Sequence, residues 1–187
     1  MTVGEAGMAS ISTRPIRALH LEDDPRDAEL IAHRLELGGL QSDIHRVTTR
    51  EAFEAALAHE PFDLILCDYN LPGYDGMTAI ARAKALQPAV PVIVISGTVG
   101  EDEAIRCLHA GATDYVLKSR LDRIGPAVRR AMEEAEERRQ RLRAEEALQE
   151  RERRLSSIYA AVADMLFYLA IEGEGRYRFE SANPAFL

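Results

Sequence analysis

Between residues 16 and about 128, short apolar runs alternate with amphipathic stretches five times over, and this repeat restricts the fold more than any other feature of the chain. The runs are residues 16–21, 44–47, 62–67, 90–95 and 115–117. Leu64-Ile65-Leu66-Cys67 and Val92-Ile93-Val94-Ile95 are continuous rather than alternating, the pattern of parallel strands covered on both faces. Repeated strand and helix units with such strands predict an α/β fold built on a five-stranded parallel sheet.

The intervening stretches carry helix punctuation. Asp24-Pro25 sets a capping carboxylate before a proline at the first helical position, and Gly38-Gly39 closes that helix. Thr48 with Glu51 three residues later predicts a capping box for the second helix. The third follows Pro72-Gly73-Tyr74-Asp75-Gly76, and the fourth starts near Glu101 and stops at Gly111. The fifth begins near Asp122 or Pro126 and meets no stop signal for about thirty residues.

That fifth helix absorbs much of the chain's charge. Residues 129–154 hold nine Arg and eight acids in 26 positions without Gly or Pro, and Glu134/Arg138, Glu137/Arg141 and Glu150/Arg154 have the i,i+4 spacing that supports an exposed helix. Apolar residues recur at Val128, Ala135 and Leu142 and again, out of register, at Leu148, Leu155 and Val162. Two readings stand: an imperfect coiled coil that pairs two copies through residues 129–162, or a solvated helix joining two domains. Beyond it, residues 165–171 and 177–179 flank Glu172-Gly173-Glu174-Gly175, a hairpin signal. The expected organisation is a disordered N-terminus at 1–14, an α/β domain at 15–128, a charged helical linker at 129–154 and a further segment at 155–187.

Composition removes several classes of function. A formal charge of −8 opposes nonspecific nucleic-acid binding, which depends on basic side chains, and the absence of Trp disfavours a base-stacking surface. No apolar run reaches the roughly 18 to 20 residues of a membrane span, and no secretory signal opens the chain, so a cytoplasmic protein with no membrane partner is expected. Cys67 and Cys107 fit buried thiols, and the five His show no ligand pairing.

In a parallel sheet, binding groups gather at the carboxyl ends of the strands. The first strand is followed by Glu22-Asp23-Asp24, the third by Asp68-Tyr69-Asn70, the fourth by Ser96-Gly97-Thr98 and the fifth by Lys118. Helix capping accounts for Asp24 but not for Glu22, Asp23 or Asp68. If the first and third strands are neighbours, three carboxylates converge, and each pair at 4 Å repels by about 1 kcal/mol in water and about 4 at an effective dielectric of 20. A divalent cation removes that repulsion, and an all-oxygen donor set suits magnesium rather than zinc. Lysine is scarce, two residues against 21 Arg, and one of the two, Lys118, falls on this rim. With Ser96 it supplies the point charge and hydroxyl that a phosphate needs, which leaves Asp68 as the candidate nucleophile for an acyl phosphate.

Glu22-Asp23, Asp68 through Gly76, Ser96-Gly97 and Gly111-Ala112-Thr113-Asp114-Tyr115-Val116-Leu117-Lys118, in that order, resemble the receiver domain of two-component response regulators. The resemblance implies a doubly wound, flavodoxin-like sheet of order 2-1-3-4-5 with an extended C-terminal helix. It implies that Asp68 is the phosphoacceptor and that Glu22 and Asp23 form the acidic pocket. Magnesium is then held by Asp23, Asp68 and the backbone carbonyl of Asn70, with Glu22 beside them. Ser96 and Lys118 contact the phosphoryl group, and Tyr115 is the aromatic that reorients with Ser96. The implied partner is a histidine kinase or phosphotransfer protein, and the domain is a regulatory phosphoacceptor with at most slow self-phosphorylation and dephosphorylation, not an enzyme in its own right.

Many receivers follow the lysine with proline, often in a cis peptide, whereas Ser119 stands here. A non-proline cis bond costs about 2.5 to 4 kcal/mol, so a trans bond and a differently shaped loop at Ser119-Arg120-Leu121 are predicted. Residues 155–187 resemble more weakly the start of a PAS-type sensor domain, with Asn183-Pro184-Ala185-Phe186 as its Asn-x-Ala-Phe stretch. Two other functions compete with the phosphorylation switch. One is a phosphohydrolase working through an aspartyl phosphate, against which Asn70 stands where a second acid belongs. The other is a receiver-like scaffold that only dimerises.

Overall fold

The computed structural model describes residues 14–97, 100–161, 167–171 and 176–183. The expected disordered N-terminus therefore lies outside the described residues, apart from Arg14. Five strands, β1 (Ile16–Leu21), β2 (Ser42–Val47), β3 (Leu64–Asp68), β4 (Val92–Ser96) and β5 (Asp114–Leu117), form one sheet. All four pairings are parallel, as the continuous apolar runs predict, and the order is β2-β1-β3-β4-β5, as the resemblance to receiver domains implies. The intervening helices are α1 (Pro25–Leu37), α2 (Arg50–His59), α3 (Gly76–Leu86) and α4 (Glu101–His109).

Period-two alternation divides the buried side chains between two layers. Leu19, Leu21, Ile65, Cys67, Val92 and Val94 pack with Phe53 of α2, Ile80 of α3 and Cys107 of α4. Ala18, Leu64, Leu66, Ile93 and Ile95 face the other way, onto Ile31 and Leu35 of α1. Ile124, Val128 and Ala131, from a fifth helix α5 (Ile124–Ala161), complete that second layer. Every residue of β3 and β4 is buried, which is why both read as unbroken apolar runs. At about 1.5 to 3 kcal/mol for each fully buried Leu or Ile, these two strands anchor the domain.

Local chemistry sets the element ends. Asp24 caps α1 by accepting from Arg26 N at 2.8 Å, with Pro25 in the first turn. The predicted capping box on α2 is displaced by one residue: Thr49, not Thr48, is the cap, and its hydroxyl accepts from Ala52 N at 3.3 Å. The N3 position is then Ala52, so no acid reaches back and the reciprocal half of the box is lost. Between β3 and α3 the chain makes a two-residue antiparallel ladder, Asn70–Leu71 with Tyr74–Asp75, turned by Gly73 at φ 76°. Gly76 must lack a side chain there, because a Cβ would stand 2.9 Å from the Tyr69 backbone.

The Lys118–Ser119 bond is trans, like every peptide among the described residues. Where a differently shaped loop is expected at Ser119-Arg120-Leu121, Lys118–Arg123 forms 3₁₀ turns broken at Arg120, and these feed into α5. That helix runs 38 residues. The chain divides into two compact units, Met1–Glu137 and Arg138–Leu187. In the second, β6 (Phe167–Ile171) and β7 (Tyr177–Ala182) pair antiparallel from Phe167 opposite Ala182 to Ile171 opposite Tyr177, with a bulge at Tyr168/Leu169. The expected turn at 172–175, together with Val162, Met165 and residues 184–187, lies outside the described residues.

Candidate functional site

β1 and β3 are neighbours, paired from Ala18 opposite Leu64 to Leu21 opposite Cys67, so the residues just past each strand meet at one rim. Carboxylate oxygens of Glu22, Asp23 and Asp68 lie within 4.8 Å of one another. Glu22 has no exposed surface and Asp68 only 4%, while Asp23 opens to solvent. The three acids singled out in the sequence thus form a hard-oxygen donor set of the kind that holds magnesium or manganese.

Lys118 arrives from the end of β5, two strands away, and its ammonium touches Asp68 Oδ2 at 2.7 Å, Glu22 Oε2 at 2.8 Å and Asp27 Oδ2 at 2.6 Å. Burial alone would lower its pKa, but the hydrogen bonds to Asp27, Asp68 and Glu22 outweigh it and hold the ammonium above its ordinary range. Glu22 is displaced the other way for a carboxylate, upward, chiefly by burial and against the pull of Lys118 and the Asp24 N–H, which donates to Oε1 at 3.1 Å. Asp68 uses its second oxygen as well: Oδ1 accepts from Asn70 N at 3.1 Å.

The other sequence-predicted residues frame this cluster. Ser96 ends β4 fully buried, one position beyond Ile95, the register partner of Asp68. Tyr115 is paired with Val94 on β5 and lies half-buried against the α2–α4 layer, so it sits outside the carboxylate group. Thr98 lies outside the described residues.

Two contributors escaped the sequence reading. Asp27, in the first turn of α1, supplies the third acceptor for Lys118. Arg46 of β2 donates to the backbone carbonyls of Glu22 at 3.0 Å and Asp23 at 2.6 Å, pinning the turn that presents both acids. Asp27 carried one available signal, its place one helical turn after the Glu22-Asp23 pair. Arg46 carried none beyond its position on the strand that pairs with β1.

The model of the response regulator receiver domain family matches residues 18–129. The response regulator protein FleR of Pseudomonas aeruginosa is 32% identical over 102 residues, which are 54% of this chain and 21% of FleR. The chain therefore spans about a fifth of the length of that relative. Among solved structures, a receiver domain protein from Methanospirillum hungatei JF-1 covers 67% of this chain and 99% of its own at a TM-score of 0.60 and 24% identity. The manganese-bound form of response regulator Rcp1 covers 59% of this chain and 89% of its own at a TM-score of 0.52 and 26% identity.

Proposed function

The chain belongs to the response regulator receiver domain family, and from that premise we propose that Asp68 is its phosphoacceptor, charged by a histidine kinase or phosphotransfer protein. The observation that carries this reading is the placement of Lys118 Nζ 2.7 Å from Asp68 Oδ2 beside the Glu22–Asp23 pair. A carboxylate oxygen of Asp68 attacks phosphorus, the bond from phosphorus to the donor's imidazole nitrogen breaks, and the imidazole leaves with the electron pair. Lys118 neutralises charge gathering on the phosphoryl oxygens, and Ser96 offers a hydroxyl donor one residue along β4. Asp23, Asp68 and the Asn70 carbonyl would hold magnesium, a reading supported by the existence of a manganese-bound form of Rcp1, and the ion would supply the remaining charge neutralisation. Tyr115 is the residue that reports the change, reorienting as Ser96 engages the phosphoryl group.

The domain organisation follows the same reading. Residues 15–128 are the receiver, 129–154 the charged helical linker and 155–187 the opening of a PAS-type domain, to which the β6–β7 hairpin is suited. A pairing of two copies would use α5 beyond Ala131, where Leu142, Leu148 and Leu155 are exposed.

The test is incubation with magnesium and acetyl phosphate, followed by mass spectrometry. Wild type should gain one phosphoryl group in a magnesium-dependent reaction, and Asp68→Asn none. An unmodified wild type would leave only the scaffold, and repeated turnover of a phosphoester would favour the phosphohydrolase.

A further inference from the structure

The ammonium of Lys118 has three N–H donors, and all three are spent, on Glu22, Asp27 and Asp68. A phosphoryl group brings a charge of about −1.5 to −2 and three strong acceptor oxygens, so Lys118 can reach it only by giving up one bond. The partners differ in what release costs. While the phosphoryl donor approaches, Asp68 is still a carboxylate, and it and Glu22, whose side chains are 5% and 0% exposed, would each be left as a buried charge without the lysine. Asp27 is 36% exposed, so water can replace the lysine, and its place in the first turn of α1 gives its free carboxylate the support of the helix dipole.

We propose that Asp27 is a positioning residue for phosphoryl transfer: its carboxylate occupies one N–H of Lys118 in the unphosphorylated protein and yields it to a phosphoryl oxygen. This rests on Asp68 being the phosphoacceptor and adds a residue that sets how readily it is charged. Asp27 competes with the incoming group in two ways, by holding the donor and by adding a like charge beside the phosphoryl oxygens. Its release also unties the start of α1 from the segment that leads into α5. The far end of α1 stays fixed to α5 through the Arg129 guanidinium on Gly38 O at 2.6 Å and the close approach of Gly38 and Gly125. Phosphorylation of Asp68 thereby frees one end of α1 while the other remains joined to the output helix.

The experiment compares full-length wild type, Asp27→Ala, Asp27→Glu and Glu29→Ala for the rate of phosphorylation by acetyl phosphate, each at magnesium saturation set by titration. Saturation matters because removing an acid also weakens the metal. Asp27→Ala should react roughly two- to fivefold faster than wild type. Asp27→Glu should restore the slow rate, and Glu29→Ala, which removes an exposed charge from the same helix, should match wild type. With two lysines in the chain, 13Cε-lysine labelling gives two resonances, and that of Lys118 should move when beryllofluoride binds wild type and begin displaced in Asp27→Ala. Equal or slower reaction of Asp27→Ala, with wild type still phosphorylated, would overturn the competition alone. An absence of adduct on both proteins would overturn the phosphoacceptor reading with it.

Discussion

His20 lies fully buried on β1, two residues before Glu22, with neither ring nitrogen hydrogen-bonded. Burial first, then the positive charges of Lys118 and Arg46, lowers its pKa from 6.5 to about 4, against the opposing pull of Asp68 and Asp27. A base whose folded pKa is depressed gives stability that is present above its unfolded pKa and lost as pH falls through the window down to the folded value, here from about 6.5 to about 4. The unfolded chain takes up the proton that the fold refuses. Between pH 7 and pH 5 this residue should withdraw about 2 kcal/mol, and His20→Leu should remove that part of the slope. Urea unfolding at the two pH values in EDTA measures it, and an unchanged slope in the variant would show that the imidazole is not held neutral. At this scale the site was legible where chemistry repeats as a motif, in Glu22, Asp23, Asp68 and Lys118. Asp27 was not legible, because a carboxylate in a first helical turn already has a local explanation in the helix dipole. Its partner stands 91 positions away in the sequence, so the contact appears only once the sheet places β5 and α1 together.

Among the elements, α5 shows how a periodic pattern can mislead by one repeat. Val128 heads the heptad series Val128, Ala135, Leu142, yet it is wholly buried in the receiver's own second layer with Ile124 and Ala131. The start of the helix is spent on its own domain, and an interface between copies can begin only beyond it. Leu142, Leu148, Leu155 and Ile158 are each at least half exposed. If two copies pair there, Leu148→Arg with Leu155→Arg should place charge at the seam and turn a dimer into a monomer. Sedimentation equilibrium of the full chain decides it, and an unchanged mass would take these residues out of any interface. The ion pairs along the helix leave the result open to no electrostatic rescue: Arg141 with Glu145 is a solvent-exposed i,i+4 contact worth a few tenths of a kcal/mol, about 0.3 to 0.5. The strands were easier to read than this helix, since β3 and β4 are buried on both faces and tolerate no polar interruption, whereas an exposed helix is written mostly in charges that fit several arrangements.

For the whole molecule, two units with different sources of stability share one chain. The first buries continuous strands between two helical layers but carries a charged rim, where Glu22, Asp27 and Asp68 converge on Lys118. In the second, β6 and β7 expose Phe167, Tyr168, Ile171, Tyr177 and Phe179, each by half or more, and two strands alone are marginal in water. Opening free energies should therefore span a wide range along the chain. Amides of β1, β3 and β4 should exchange only through global opening of the first unit, while those of β6 and β7 should exchange by local opening and far faster. Magnesium should act on the slow set, because a ligand that binds only the folded rim stabilises it by RT ln(1 + [L]/Kd), about 2.7 kcal/mol at a hundredfold excess over Kd. For a unit of this size that corresponds to a rise in Tm of roughly 10 °C. Calorimetry with and without magnesium, alongside amide exchange, measures both quantities. A Tm indifferent to magnesium would mean that Lys118 alone already balances the carboxylates, and protection in β6–β7 equal to that in β3 would mean that the hairpin's exposed face is covered in solution.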